Sequence, residues 1–195
     1  VDDLVVPEGF TYDVIAAWGD PVGDSRFGYN NDYLSFIETG NNEGFLTVNF
    51  EYISSRPWLE AYEQTIGRSL PIAPIQAALK AQEISAIDAF SLPADDPLRK
   101  AILEISEAGL IDMGMGVISV RREADGRWVR TYSPTDRRIT GISGWIDGRY
   151  LKSTGPATAV FRKGGRGYND RLGDRIIGTF ANCAGGTSPW GTVFS

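Results

Sequence analysis

What most constrains this chain is its rhythm. Short runs of β-branched and aromatic residues are closed off roughly every ten residues by glycine-, asparagine- or proline-rich turns, and one long helical stretch interrupts them. Strand-like runs fall at Thr11–Trp18, within Phe27–Ile37 and at Phe45–Ile53, separated by loop sequence at Gly19–Ser25 and a turn at Gly40–Gly44. From Trp58 to about Gly109 the period lengthens. Leu59, Tyr62 and Ile66 stand at helix spacing, 74–83 is rich in helix formers, and 97–108 is amphipathic, with Asp96 predicted as its N-cap and Gly109 as its C-cap. Strands then resume, with Gly114–Arg122 and Arg127–Tyr132 flanking an Ala-Asp-Gly turn as a predicted hairpin. This order is foreign to alternating parallel βα units. It predicts a mainly β fold with a helical insertion, in the manner of a propeller or sandwich.

With 195 residues, 42% of them apolar, the chain can bury a real core. It contains no apolar run near the ~20 residues a bilayer span needs, and it opens Val1-Asp2-Asp3-Leu4 without a basic, apolar signal segment. The formal charge of −6 comes without a dense Lys/Arg stripe, which argues against a nucleic-acid partner and is compatible with hard cations. There is no histidine at all, which removes Ser-His-Asp and Cys-His catalysis, imidazole metal sites and His general bases together. Chemistry in this chain falls to carboxylates, amides, Arg, Lys, Tyr, hydroxyls or the single cysteine, Cys183, which also has no partner for an internal disulfide.

Four places carry candidate chemistry. Thr179–Thr192 gathers an amide, a thiol and hydroxyls around Gly185-Gly186 and Pro189, residues that bend a backbone sharply; a buried thiol in a plain loop is the competing reading. Asn30-Asn31-Asp32, set between aromatics, is either an Asx-type turn or a set of oxygen ligands. Asn49 and Glu51 share one face of a strand, turned either to solvent or inward. Arg137-Arg138 beside Thr140 suits either a bidentate phosphate clamp or an ion pair.

Taken together and in order, Val5–Val14, Trp18–Pro21, Phe27–Tyr33, Val48–Tyr52, Arg137–Gly141 and Asn182–Thr192 resemble the PhoX family of secreted bacterial alkaline phosphatases. The resemblance spans nearly the whole chain but only the N-terminal part of the family domain. It implies a β-propeller with a central iron and calcium site, exported to the periplasm or beyond, that releases phosphate from monoesters. It further implies that Cys183 is an iron ligand, that Glu51 is the acidic ligand of the family's Val-Asn-His-Glu-Tyr motif, and that Asn31, Asp32 and Asn49 offer oxygen to calcium. The family's histidine in that motif is Phe50 here, and strand alternation turns Phe50 away from Glu51.

The leading expectation is metal-assisted phosphomonoester hydrolysis, with Arg138 stabilising transition-state charge. The alternatives are a related metal-dependent phosphodiesterase or lactonase, and a non-catalytic secreted propeller stapled by calcium that serves as an interaction module. The sequence stops in strand-like Thr192-Val193-Phe194-Ser195. The domain is therefore expected to continue beyond Ser195, and the remaining part of the same propeller is an expected partner.

Overall fold

The computed structural model describes residues 4–156, 158–161 and 170–195, so the opening Val1-Asp2-Asp3 lies outside the described residues. Its centre is a five-stranded antiparallel sheet. Two short strands, β1 (Pro21–Val22) and β2 (Ser25–Arg26), form a small ribbon before it. The long strands β3 (Asn31–Gly40) and β4 (Glu43–Phe50) then pair through a tight turn in which Asn42 adopts a left-handed conformation (φ 62°). Three helices follow, α1 (Ser55–Ile66), α2 (Ile72–Gln82) and α3 (Pro97–Asp112), before the chain returns as β5 (Gly114–Arg122) alongside β4.

β6 (Trp128–Arg130) and β7 (Arg137–Thr140) share the other edge of β5, one opposite each half. Asp136 fills the gap between them, its Oδ1 accepting from the Ser119 amide (2.8 Å) and hydroxyl (2.7 Å). Among the described residues two further ribbons complete the β content: β8 (Leu151–Lys152) with β9 (Arg175–Ile176), and β10 (Gly186–Thr187) with β11 (Val193–Phe194). The mainly β character with a helical excursion is as the sequence predicts. The central five-stranded sheet is four strands across, because β6 and β7 share one edge of β5, and among the described residues it does not close on itself.

Two cores flank the frame. Alternate residues of β4 and β5 (Val48, Phe50, Ile118, Val120) pack with Val22 and Phe27 on one face of the sheet. Trp58, Tyr62 and Ala108 form the second core between α1 and α3, and Trp18 and Tyr29 join it edge to face at 4.9 Å. Asp112, fully buried at the end of α3, ties the cores together by accepting from Arg26 Nε and from Trp58 Nε1 at 2.8 Å.

Local signals hold where the chain itself settles the geometry. Asp96 caps α3 through its carboxylate, which accepts from the Leu98 amide at 2.7 Å with Pro97 in the first turn. Asp96→Ala is expected to lower stability by about 1 kcal/mol, measured by urea denaturation. The predicted Ala-Asp-Gly hairpin forms, with Val120–Arg122 paired to Trp128–Arg130.

Two predictions are corrected. Gly109 does not end its helix: it is buried inside α3 against Ile53, and the helix runs on to Asp112. Thr11–Trp18 is not a strand. Ile15 and Ala16 pack on the sheet core and Trp18 on the helical core, and the segment forms no ladder with a strand among the described residues.

Candidate metal centre

The C-terminal stretch around Cys183 lies against the face of β3 and β4 opposite the Phe50 core. Three anchors hold it there. Thr187 Oγ1 shares hydrogen bonds with Tyr33 Oη (2.8 Å) and Ser35 Oγ (2.6 Å) on β3. Gly185 runs beneath the Tyr33 ring so closely that a Cβ there would sit 2.3 Å from it, which is why the bend requires glycine. Asn49 Nδ2 donates to the Cys183 carbonyl at 2.9 Å. Beyond the bend, the β10–β11 ribbon returns the chain to Ser195, and a turn closes its tip with the Thr192 amide on Ser188 Oγ (2.9 Å).

Asn30 and Asp32 divide the two readings of Asn30-Asn31-Asp32 between them. Asn30 is the turn: it takes a left-handed conformation (φ 51°), and its Nδ2 donates to the Tyr52 carbonyl (2.9 Å) and to Ser54 Oγ (3.1 Å). Asp32 follows at a register shift between Asn31 and Leu34, where the ladder is broken and its side chain is redirected. Glu51 lies just past β4, its amide bonded to the Asn30 carbonyl at 3.1 Å.

The outcome is a compact cluster in which one ligand atom each from Asp32, Glu51 and Cys183 lie within 4.8 Å of one another. Among the described residues no Lys or Arg ion-pairs with either carboxylate. Hydrogen bonding to Asp32, and then to Glu51, holds the exposed Cys183 thiol protonated, its pKa pushed up to about 11. Two carboxylates and a thiol gathered around one point form a donor set for a multivalent cation. The sulfur suits a transition metal, whereas calcium takes oxygen only. The residues present therefore fit a mixed oxygen and sulfur centre with positions left open.

The remaining predicted residues fall elsewhere. Asn31 is exposed beside Asp32, with its Cα paired to that of Phe50. Asn49 is wholly buried, with both ends of its amide engaged: Nδ2 on the Cys183 carbonyl and Oδ1 accepting from Ser195 Oγ at 2.8 Å. Phe50 does turn away from Glu51, into the core, where it meets Phe27 edge to face at 4.8 Å.

Arg138 is not at the cluster, and neither the phosphate clamp nor the ion pair read from sequence describes it. Its side chain stacks on Phe50, with the guanidinium carbon 4.4 Å from the ring centre, on the opposite face of the sheet from Asn49. Its guanidinium donates to five backbone carbonyls, those of Arg26, Ile111, Met113, Met115 and Ile139, at 2.6–2.9 Å. Burial pushes its pKa down to about 9, so it remains a cation at neutral pH, held by carbonyl dipoles and the face of an aromatic ring.

Sequence reasoning missed the anchors of the site, Tyr33, Ser35, Thr187 and Ser195. Tyr33 and Ser35 at i and i+2 do mark one face of a strand, but nothing local says that Thr187 lies upon it.

A family model described as Alkaline phosphatase PhoX matches residues 1–195. Among solved structures, the fold is similar to one of Pseudomonas fluorescens PhoX in complex with vanadate, a transition state analogue, with 25% identity and a TM-score of 0.61. That match covers 97% of this chain and 28% of the other, so the chain spans less than a third of the length of that relative. No curated protein matches the chain significantly.

Proposed function

Because the chain belongs to the PhoX family of alkaline phosphatases, we propose that it is part of a metal-dependent phosphatase that hydrolyses phosphate monoesters at the Asp32, Glu51 and Cys183 cluster. The observation that carries this reading is the convergence of two carboxylates and the only thiol within 4.8 Å, with neither carboxylate ion-paired to a basic side chain among the described residues. Cys183 and Glu51 would hold iron, and Asp32 with Asn31 would give oxygen to calcium. Bound cations at such a centre supply charge neutralisation of a phosphate and activation of an oxygen nucleophile, work that needs no histidine.

The chain's own contribution is positional. The Tyr33, Ser35 and Thr187 bonds fix the bend that presents Cys183, and the break in β3 presents Asp32. The replacement of the family's histidine by Phe50 leaves this arrangement intact, because that position belongs to the opposite core. This favours an active centre over a calcium-stapled interaction module. The second face of the sheet retains an apolar groove of about 330 Å³ between Phe45, Val117 and Val193 with Arg137 at its rim. The remaining part of a family-length propeller would cover it. Among the described residues no helix is long and apolar enough to cross a membrane, and export to the periplasm or outside is proposed from the family alone.

Purified full-length protein is expected to contain iron and calcium by elemental analysis and to hydrolyse p-nitrophenyl phosphate well in excess of the bis ester or a lactone. Chelator treatment should abolish that activity, and metal return should restore it. Metal-replete protein with no monoesterase activity, or with the bis ester or lactone preferred, would overturn the reading.

A further inference from the structure

Asn49 stands out because a fully buried polar side chain on a strand must have a reason to be there. Its amide is bonded at both ends to the segment that carries Cys183. Nδ2 donates to the Cys183 carbonyl (2.9 Å), and Oδ1 accepts from Ser195 Oγ (2.8 Å). Ser195 Oγ in turn accepts from Asn182 Nδ2 at 2.7 Å, and Asn182 Oδ1 accepts from Thr179 Oγ1 at 3.1 Å. The hydrogen bonds thus run from a rigid central strand through both ends of the loop and back to the residue next to the cysteine. Asn49 is paired on β4 directly with Met115 of β5, so its support is an interior strand hydrogen-bonded on both sides.

We propose that Asn49 is a positioning residue that fixes the Cys183 backbone against β4, and not a metal ligand. This inference rests on the metal-centre reading for its consequence but not for its existence. The clamp holds the carbonyl of Cys183, so the direction of the thiol relative to Asp32 and Glu51 is set by an amide whose own position the sheet determines. Ser195 and Asn182 brace the far side of the same amide.

The two roles part under Asn49→Asp. A ligand carboxylate would hold a cation at least as tightly as the amide. A clamp, by contrast, loses its only donor to the Cys183 carbonyl and sets two acceptors against each other, in a side chain of unchanged size. Cobalt(II) added to metal-free full-length protein should give a thiolate-to-cobalt charge-transfer band. Asn49→Asp and Asn49→Leu are each expected to weaken cobalt binding roughly 10–100-fold, the range that outer partners of metal ligands carry. Ser195→Ala keeps the Asn49 to Cys183 bond and should weaken binding less.

Amide hydrogen exchange on the metal-free proteins gives the independent readout. Exchange across 182–187 should rise at least about tenfold in Asn49→Leu while the β4–β5 ladder stays protected, because only the local opening free energy changes. Should Asn49 variants fail to fold, Asn182→Ala leaves β4 untouched and should raise exchange over the same segment. Unchanged exchange at 182–187 in these variants, or cobalt bound as tightly by Asn49→Asp as by the parent, would overturn the proposal. Absence of a cobalt–thiolate band in the parent protein would instead count against the metal centre and leave the clamp to stand or fall on exchange.

Discussion

Arg138→Leu is expected to cost the fold about 4 kcal/mol or more. A buried polar group stripped of its partner costs about 1–3 kcal/mol, and this substitution strips five carbonyls at once. Those carbonyls belong to β2, the end of α3, β5 and β7, so a single guanidinium closes the joint where the helical insertion re-enters the sheet. Arg138→Lys keeps the charge but offers three donors in place of a planar fork, and should recover only part of the loss. Arg56→Ala is the contrast. Arg56 pairs with Glu60 at 2.8 Å on the surface of α1, with side chains 86% and 64% exposed, and its loss should change stability by less than about 1 kcal/mol. Urea denaturation of the three variants checks the ranking. Arg138→Lys with wild-type stability and a raised KM would show instead that the guanidinium meets substrate.

Arg138 also marks where the sequence stops being legible. An Arg-Arg-Ile-Thr segment reads as a phosphate clamp or an ion pair because those are what an exposed guanidinium does, and no local signal says that five carbonyls, from positions 26 to 139, converge on it. Glu51 and Phe50 were legible because alternation along a strand is a property of the strand alone. Asp96 and the Ala-Asp-Gly hairpin were legible for the same reason: their partners lie two or a few residues away. Gly109 reads as a cap in sequence because a glycine near a helix end resembles one, whereas here it is buried within α3, where a Cβ would meet Ile53 only at an ordinary 3.6 Å. The cysteine stretch was recognisable as a bend, but its attachment joins Asn49 to a serine 146 residues away. Only the folded sheet brings that pair together.

Cys183→Ser is expected to lower both metal affinity and monoesterase activity beyond the roughly 10–100-fold that outer-shell partners of a metal site carry. Serine preserves size but exchanges a soft thiolate for a hydroxyl that stays protonated, so a transition metal loses its one sulfur donor. Asp32→Asn and Glu51→Gln should each reduce binding by removing a charge without removing an oxygen. They should also move the thiol. In metal-free protein Asp32 is the first cause of a Cys183 pKa near 11 and Glu51 the second, so Asp32→Asn should lower it the more and speed alkylation at pH 8. The sign for metal binding follows. Below pH 11 the thiol carries a proton that a bound cation must displace, so affinity should rise about tenfold per pH unit as the solution becomes more alkaline, levelling off once the thiolate forms unaided. In Cys183→Ser that dependence should vanish while any calcium held by carboxylate oxygen remains. Cobalt titrations from pH 6 to pH 8 would distinguish a centre built on this thiol from one in which Cys183 is a bystander, for which the slope would be flat in parent and variant alike.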